Sequence, residues 1–279
     1  MKNISKEKAY LEEIQKNKMK YQEEKVIIPF LEVWTGQSCT LKCRYCCHLI
    51  PYMPNKLYDI DMLIKDCKRL TELCHIEYFS VAGGEPFCNR NIYKLLDFVA
   101  SSTLISKGKI VTNGTVMLEK RTMQSLINLK GKLEIHVNTY PGTEKKAFDF
   151  YRRLREYQIP ARLSHYEAWK WKIMGLPGSV PCSENVAQKN FRDCWIKECN
   201  TLADGVLTAC PRGVACRTVF GIEKNPFEHV RVLDYQDETE AKARIALCLS
   251  QKYEKDFCRY CMGMSAENRT EVVPGEQIG

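Results

Sequence analysis

VIIPFLEVWTGQSCTLKCRYCC, residues 26–47, decides how the rest of the chain is read. It opens on an apolar run, Val26 to Trp34, of the kind shown by a strand buried on both faces. Pro29 marks an edge or a bulge there, because it has no N–H to give a ladder. Three cysteines follow, Cys39, Cys43 and Cys46, spaced Cys-x3-Cys-x2-Cys. On one loop, such thiolates can wrap one face of a four-iron cluster, whose usual ligand is cysteine. Three ligands leave the fourth iron open, and an open metal position is where a cosubstrate binds. A zinc site is the alternative; it asks for a fourth ligand, and His48 can be offered. Cys47 is read as packing.

Outward from this loop, strand and helix alternate. Asp59 to Cys74 has helical periodicity, with Met62, Leu63, Cys67, Leu70 and Leu73 on one side. IEYFSVAGG is a short strand ending in glycines, Asn91 to Ala100 a helix, and GKIVTNG strand and turn. Leu118 to Leu129 is helical, KLEIHVNTY a strand, Glu144 to Tyr157 a helix and ARLSHY a strand. Alternation of this kind through residue 166 predicts a parallel sheet with crossover helices, an α/β fold. The polar residues gather at strand C-termini, the active-site face of a parallel barrel. After Tyr166 the alternation stops. Gly175 to Pro181 reads as loop, TLADGVLTAC as a hairpin turned by Asp204-Gly205, and Thr239 to Tyr253 as a helix. Three units are expected: a helical extension at 1–25, the α/β unit at 26–170 and a smaller unit at 171–279.

The 279 residues include 15 cysteines and carry a formal charge of +8. No stretch is long enough to cross a membrane, and the first 25 residues lack the apolar core of a signal peptide. The expectation is therefore a cytoplasmic protein, in which thiols stay reduced and metal binding explains the cysteines better than disulfides. Cys67, Cys74 and Cys248 are assigned to packing, since free cysteine is among the most buried residue types. Lys and Arg are spread along the chain, so nucleic acid is not indicated as a partner. The charge suits a phosphorylated or otherwise anionic small substrate equally well.

The cysteine triad, with Tyr45 before its last member, resembles the motif of the radical S-adenosylmethionine (SAM) superfamily. Three further matches come in that family's order. Gly83-Gly84-Glu85-Pro86 resembles the motif that contacts the SAM amino group; small residues bare the backbone, and an acid meets an ammonium. Asn113 ends the third strand, where such enzymes often have a polar SAM contact. Asn138 occupies the place of the ribose contact, where many relatives carry serine; Ser164 on the next strand is the other candidate. The resemblance implies a partial (β/α) TIM-like barrel over residues 26–166 and a [4Fe-4S] cluster that binds SAM.

A second cysteine set lies further on. Cys194, Gly205 and Cys210, followed by Cys258-x2-Cys261, resemble the auxiliary-cluster domains called SPASM and twitch, the twitch form with one cluster matching better. That implies a second, auxiliary [4Fe-4S] cluster on Cys194, Cys210, Cys258 and Cys261, with Cys199 a rival for the first position. A structural zinc ribbon is the other use of four cysteines.

By resemblance to the butirosin-pathway aminocyclitol dehydrogenase type, the expected reaction is oxidation of a secondary alcohol on a sugar-like or aminocyclitol substrate, possibly phosphorylated or nucleotide-linked. Epimerisation is the alternative, with Cys199, Cys182 or Cys216 as hydrogen donor. A peptide maturase and a zinc-stabilised binding module are further readings. A flavodoxin or ferredoxin is the expected reducing partner. His165, Tyr166, Glu167, Trp169 and Trp171 lie on the active-site side or pack a domain junction.

Overall fold

The computed structural model describes residues 2–278. In chain order its elements are α1 (Lys2–Lys20), β1 (Val26–Ile28), β2 (Leu31–Trp34), α2 (Ile60–Leu73), β3 (Cys74–Ile76), β4 (Phe79–Ala82), α3 (Ile92–Ser101), β5 (Gly108–Thr112), α4 (Lys120–Asn128), β6 (Leu133–Asn138), α5 (Glu144–Glu156), β7 (Ala161–Ser164), α6 (Glu184–Arg192), β8 (Asn200–Ala203), β9 (Val206–Thr208), α7 (Pro211–Phe220), β10 (His229–Arg231) and α8 (Glu238–Cys248).

Eight strands make one sheet in the order β10-β9-β8-β2-β4-β5-β6-β7. From β8 to β7 every pairing is parallel, while β8-β9 and β9-β10 are antiparallel. The fold is α/β, an open partial barrel with crossover helices. Strands β2 and β4 are buried at every position, as strands covered on both faces must be. Pro29 does more than bulge the first apolar run. It splits it, so that β1 pairs with β3 in a separate two-stranded sheet and β2 begins the main one. Gly108 sits where β5 crosses β4 so closely that a Cβ would lie 1.8 Å from the Phe79 carbonyl oxygen.

The expected helices form for identifiable reasons. The Asp59 side chain caps α2 by accepting from the Asp61 and Met62 N–H groups at 2.8 and 3.2 Å. Its buried stripe is Ile60, Leu63, Cys67, Leu70 and Leu73; Met62, expected on that side, is exposed. Asp237 caps α8 in the same way. That helix ends at Cys248 rather than Tyr253.

The hairpin after residue 200 is a two-residue turn with positive φ at Asp204 and Gly205, the conformation that suits the strands' twist. It is not separate from the sheet. Strand β8 lies parallel to β2, Leu31 opposite Asn200, and one apolar core runs from Val33 and Val81 to Leu202, Val230, Ile245 and Cys248. Cys67, Cys74 and Cys248 are buried in that core. Helix α1 packs on α8, with Tyr10 and Ile14 against Ala243 and Leu247. No helix of the described residues is long and apolar enough to cross a membrane.

Candidate active site

At the C-terminal ends of the parallel strands, one cavity holds about 870 Å³ of open space, part of it continuous with solvent. Its wall gathers residues from five strand ends: Glu32 and the loop bearing Cys39, Cys43, Cys46, Cys47 and His48 after β2; Gly83, Gly84 and Glu85 after β4; Thr112 and Asn113; Asn138 and Tyr140; and Trp169 and Trp171 after β7.

The glycines place the cluster loop. Gly84 N–H donates to the Gly36 carbonyl at 3.0 Å and Glu85 N–H to the Ser38 carbonyl at 2.7 Å. A Cβ on Gly84 would lie 2.1 Å from the Ser38 oxygen, so only glycine lets the two backbones meet. Gly83, at φ +120°, has no more room.

Glu85 is 3% exposed and ties the strand ends together. Its Oε1 accepts from the Thr112 hydroxyl at 2.8 Å and the Phe87 N–H at 3.2 Å, and its Oε2 from the Asn113 N–H at 2.8 Å. Burial pushes its carboxyl up to about 7, against the pull of those three bonds. A carboxylate offers about four acceptor positions, so room for one ligand donor remains. The Asn113 amide reaches Thr40 Oγ1 at 3.0 Å and Cys39 Sγ at 3.7 Å. Asn138 lines the cavity; Ser164, Tyr45 and Pro86 are not among its lining residues.

The donor set fits an iron–sulfur cluster. Burial pushes the Cys39 thiol up to about 12, Cys43 to about 11, and Cys46 also upward. Three such thiols become thiolates only beside a compensating cation, which iron supplies. No three His, Cys, Asp or Glu side chains among the described residues are gathered tightly enough for a single metal ion; the three thiols instead surround a cavity. The Trp169 indole N–H is a buried donor with no partner, a position open to a ligand acceptor.

Two residues behave differently from the sequence reading. Cys47, read there as packing, lines the cavity. Burial opposes its thiolate most strongly, yet the charge and hydrogen bond of His48 together with the charge of Arg212 hold the thiol below its usual value. His48, offered there as a metal ligand, is held by its neighbours: Nδ1 lies 2.7 Å from the Gly83 carbonyl oxygen and Nε2 3.3 Å from Glu32 Oε1. Glu32, 6% exposed, also accepts from Trp34 Nε1 at 2.8 Å. Sequence reasoning passed over Glu32; its one signal was an acid inside an otherwise apolar strand.

A second pocket is lined by Cys194, Cys210, Cys258 and Cys261 together with Phe191, Phe257, Lys255 and Arg212. Cys210 is the N-cap of α7, so that helix's positive end faces the thiols. Arg212 is 2% exposed; its Nη2 donates to the Gly175 carbonyl at 3.0 Å and its Nε has no partner. A buried cation with a spare donor suits an anionic four-thiolate centre. Gly263 N–H already reaches Cys261 Sγ at 3.3 Å.

Cys199 lines neither pocket. Burial raises its thiol well above the usual range, and the charges of Glu32, Cys210 and Cys47 raise it further. Cys182 lines a separate surface pocket with Arg259 and Cys261. Cys216 is buried, 3.6 Å from His229 Nε2, and lines neither cluster pocket.

Residues 35–167 match the family model described as the radical SAM superfamily. These residues form a radical SAM domain. The GTP 3′,8-cyclase of Syntrophomonas wolfei subsp. wolfei is 27% identical over 95 residues, which cover 32% of this chain and only 28% of the cyclase. Among solved structures, BtrN in complex with AdoMet and 2-DOIA superimposes with a TM-score of 0.56 at 17% identity, over 91% of this chain and 100% of BtrN. SuiB of Streptococcus suis bound to precursor peptide SuiA gives 0.43 at 14% identity, over 96% and 81%. At such identities the BtrN likeness speaks for the fold of the radical SAM domain and the strands beside it.

Proposed function

We propose that the radical SAM domain oxidises a secondary alcohol of a small, sugar-like or aminocyclitol substrate, with residues 171–279 forming a twitch-like unit around an auxiliary four-iron cluster. Cys39, Cys43 and Cys46 would hold the cluster that binds SAM, and Cys194, Cys210, Cys258 and Cys261 the auxiliary one. With those groups bound, the chemistry available is abstraction of a hydrogen atom by a 5′-deoxyadenosyl radical and removal of one electron.

The observation that carries this reading is the pair of cysteine-lined pockets hung from neighbouring strands, β2 and the β8-β9 hairpin. A fully ligated cluster has no open iron for substrate, so accepting an electron is its natural use. An alcohol becoming a ketone loses a hydrogen atom, a proton and an electron. The chain's own residues would handle the proton: Glu32, held by Trp34 and His48, presents a carboxylate at the cavity wall to receive a hydroxyl proton or hold an ammonium. Glu85 would face the SAM amino group, and Asn113 and Asn138 its polar edges. Trp171, its ring centroid 5.7 Å from that of Tyr140 and 6.0 Å from that of Trp169, would with them exclude water and offer faces to a sugar ring. A small ligand, such as the 2-DOIA in complex with BtrN, is the substrate class proposed for this cavity. A cytoplasmic setting with a flavodoxin or ferredoxin as reductant completes the proposal.

Epimerisation is the second reading, and one observation favours it: Cys47 puts a thiol in the cavity wall, whereas Cys199, Cys182 and Cys216 are not among the lining residues. Running the reaction in deuterated water separates the two. Dehydrogenation gives a ketone without deuterium at the attacked carbon. A product of unchanged oxidation level with one solvent deuterium there overturns the dehydrogenase reading and names Cys47 as donor.

A further inference from the structure

The last described residues return to the cluster loop. Trp171 and Val272 exchange backbone hydrogen bonds of 2.9 Å in both directions. Gly275, at φ +82°, passes beneath Tyr140 so tightly that a Cβ would lie 2.6 Å from the ring. The chain then runs antiparallel to the segment around Cys43, with Cys43 opposite Gln277. Arg44 N–H donates to the Glu276 carbonyl at 2.7 Å and Ile278 N–H to the Lys42 carbonyl at 2.8 Å. Lys42 N–H donates to Gln277 Oε1 at 2.7 Å. That bond fixes which end of the Gln277 amide is oxygen. The nitrogen end therefore points the other way, donating to the Gly275 carbonyl at 2.6 Å and to Cys43 Sγ at 3.4 Å. The exposed Arg44–Glu276 pair at 3.2 Å adds little.

We infer that Gln277 is a positioning residue for the SAM-binding cluster: the segment it belongs to clamps the cluster loop, and its side-chain N–H holds and tunes the Cys43 ligand. The inference rests on Cys43 being a cluster ligand, and it goes beyond any assignment of the reaction. Reduction of a thiolate-ligated cluster adds negative charge, so a donor to a ligand sulfur stabilises the reduced state more than the oxidised one. The same donor limits how far the Cys43 side chain can swing, the usual service of a group behind a metal ligand.

Two variants separate clamp from tuning. Gln277→Glu keeps the acceptor for Lys42 N–H, removes the donor to Cys43 and adds a negative charge. Gln277→Leu removes both bonds. The full chain, reconstituted anaerobically with iron and sulfide, is titrated with reductant while following the paramagnetic signal that changes when SAM is added. Gln277→Leu should make that cluster about threefold to tenfold harder to reduce, tenfold being 59 mV for one electron. Gln277→Glu should lower the midpoint further still, although its loop remains clamped. An unchanged midpoint in both variants overturns the inference. Backbone hydrogen exchange on the unsubstituted, reconstituted chain gives a second reading that survives poor loading of a variant. The Arg44 and Ile278 amides should be protected together, and exchange at the rate of free amides overturns the clamp. A Cys43→Ala protein that keeps the SAM-responsive signal would refute the ligand assignment itself, which is a separate failure.

Discussion

Replacing Glu85 by Gln separates the structural work of this buried acid from its charge, and the two pull in opposite directions. The Thr112 hydroxyl and two backbone N–H groups end on its oxygens. Glutamine keeps one oxygen and must turn its NH₂ toward one side. If the amide oxygen takes the place of Oε1, the NH₂ faces the Asn113 N–H, donor against donor. A buried donor left unpaired costs about 1–3 kcal/mol. The charge works the other way, because burial lifts the carboxyl from 4.5 to about 7, which at 1.36 kcal/mol per pH unit is about 3 kcal/mol. A carboxyl whose value rises on folding contributes stability fully below about 4.5, and that contribution is lost as pH climbs through about 7. Glutamine has no such dependence. The stability difference between parent and Glu85→Gln should therefore be largest near pH 4.5 and shrink by about 3 kcal/mol by pH 8. Urea unfolding of the iron-free chain between pH 4.5 and 8 measures it. A difference that grows with pH would refute the argument and make Glu85 a group stabilised as the anion.

Other consequences are open to simpler tests. Cys43→Ala should abolish reductive cleavage of SAM to 5′-deoxyadenosine, and removing all of Cys39, Cys43 and Cys46 should leave about half the iron, since four-thiolate clusters load independently; a zinc-only protein after anaerobic reconstitution contradicts this. Gly84→Ala should destabilise by about 1–3 kcal/mol or more through the Ser38 clash, read as a lowered urea midpoint. Arg212→Met should release iron from the four-cysteine pocket before any is lost from the triad, seen as faster chelator extraction of about half the iron; parent-like retention speaks against a charge role. Cys47→Ser should leave dehydrogenation unchanged and abolish any solvent deuterium incorporation by epimerisation.

How much of this was legible depended on how local the signal is. The cysteine triad, the Gly83-Gly84-Glu85-Pro86 turn and the Asp204-Gly205 hairpin are written in adjacent residues, and the periodic helices α2 to α5 carry amphipathic stripes. Residues 184–192 were passed over because ENVAQKNFR buries only Ala187 and Phe191, too few to show a period. Helix α7 was missed because Gly213 and Cys216 interrupt its pattern, and β10 because three residues cannot show alternation. The split at Pro29 was half seen: the proline announced a break, but which sheet each half joins depends on partners far along the chain. Glu32 and Cys47 were invisible as wall residues for the same reason, since a cavity is a property of five strand ends at once.

The joining of β8 to β2 gives those five strand ends their meaning. Because the pairing is parallel, β8 runs with β2 toward the same edge of the sheet. The cluster loop leaves β2 at that edge, and the hairpin turns there and sends β9 back to Cys210. Cys199 stands just before β8, and after burial the charges that act on it most are those of Glu32, Cys210 and Cys47. Arg212 influences both Cys47 and Cys261. The cysteine-lined cavity and the four-cysteine pocket thus hang from neighbouring strands, β2 and the β8-β9 hairpin. The second pocket is lined by an arginine only 2% exposed, and a buried charge is costly unless it is paired. On the proposed reading the thiolates of the four-cysteine pocket would supply that pairing, and the parallel joining of β8 to β2 would set the pocket beside the strand that carries the cavity, as an electron leaving a substrate there would need.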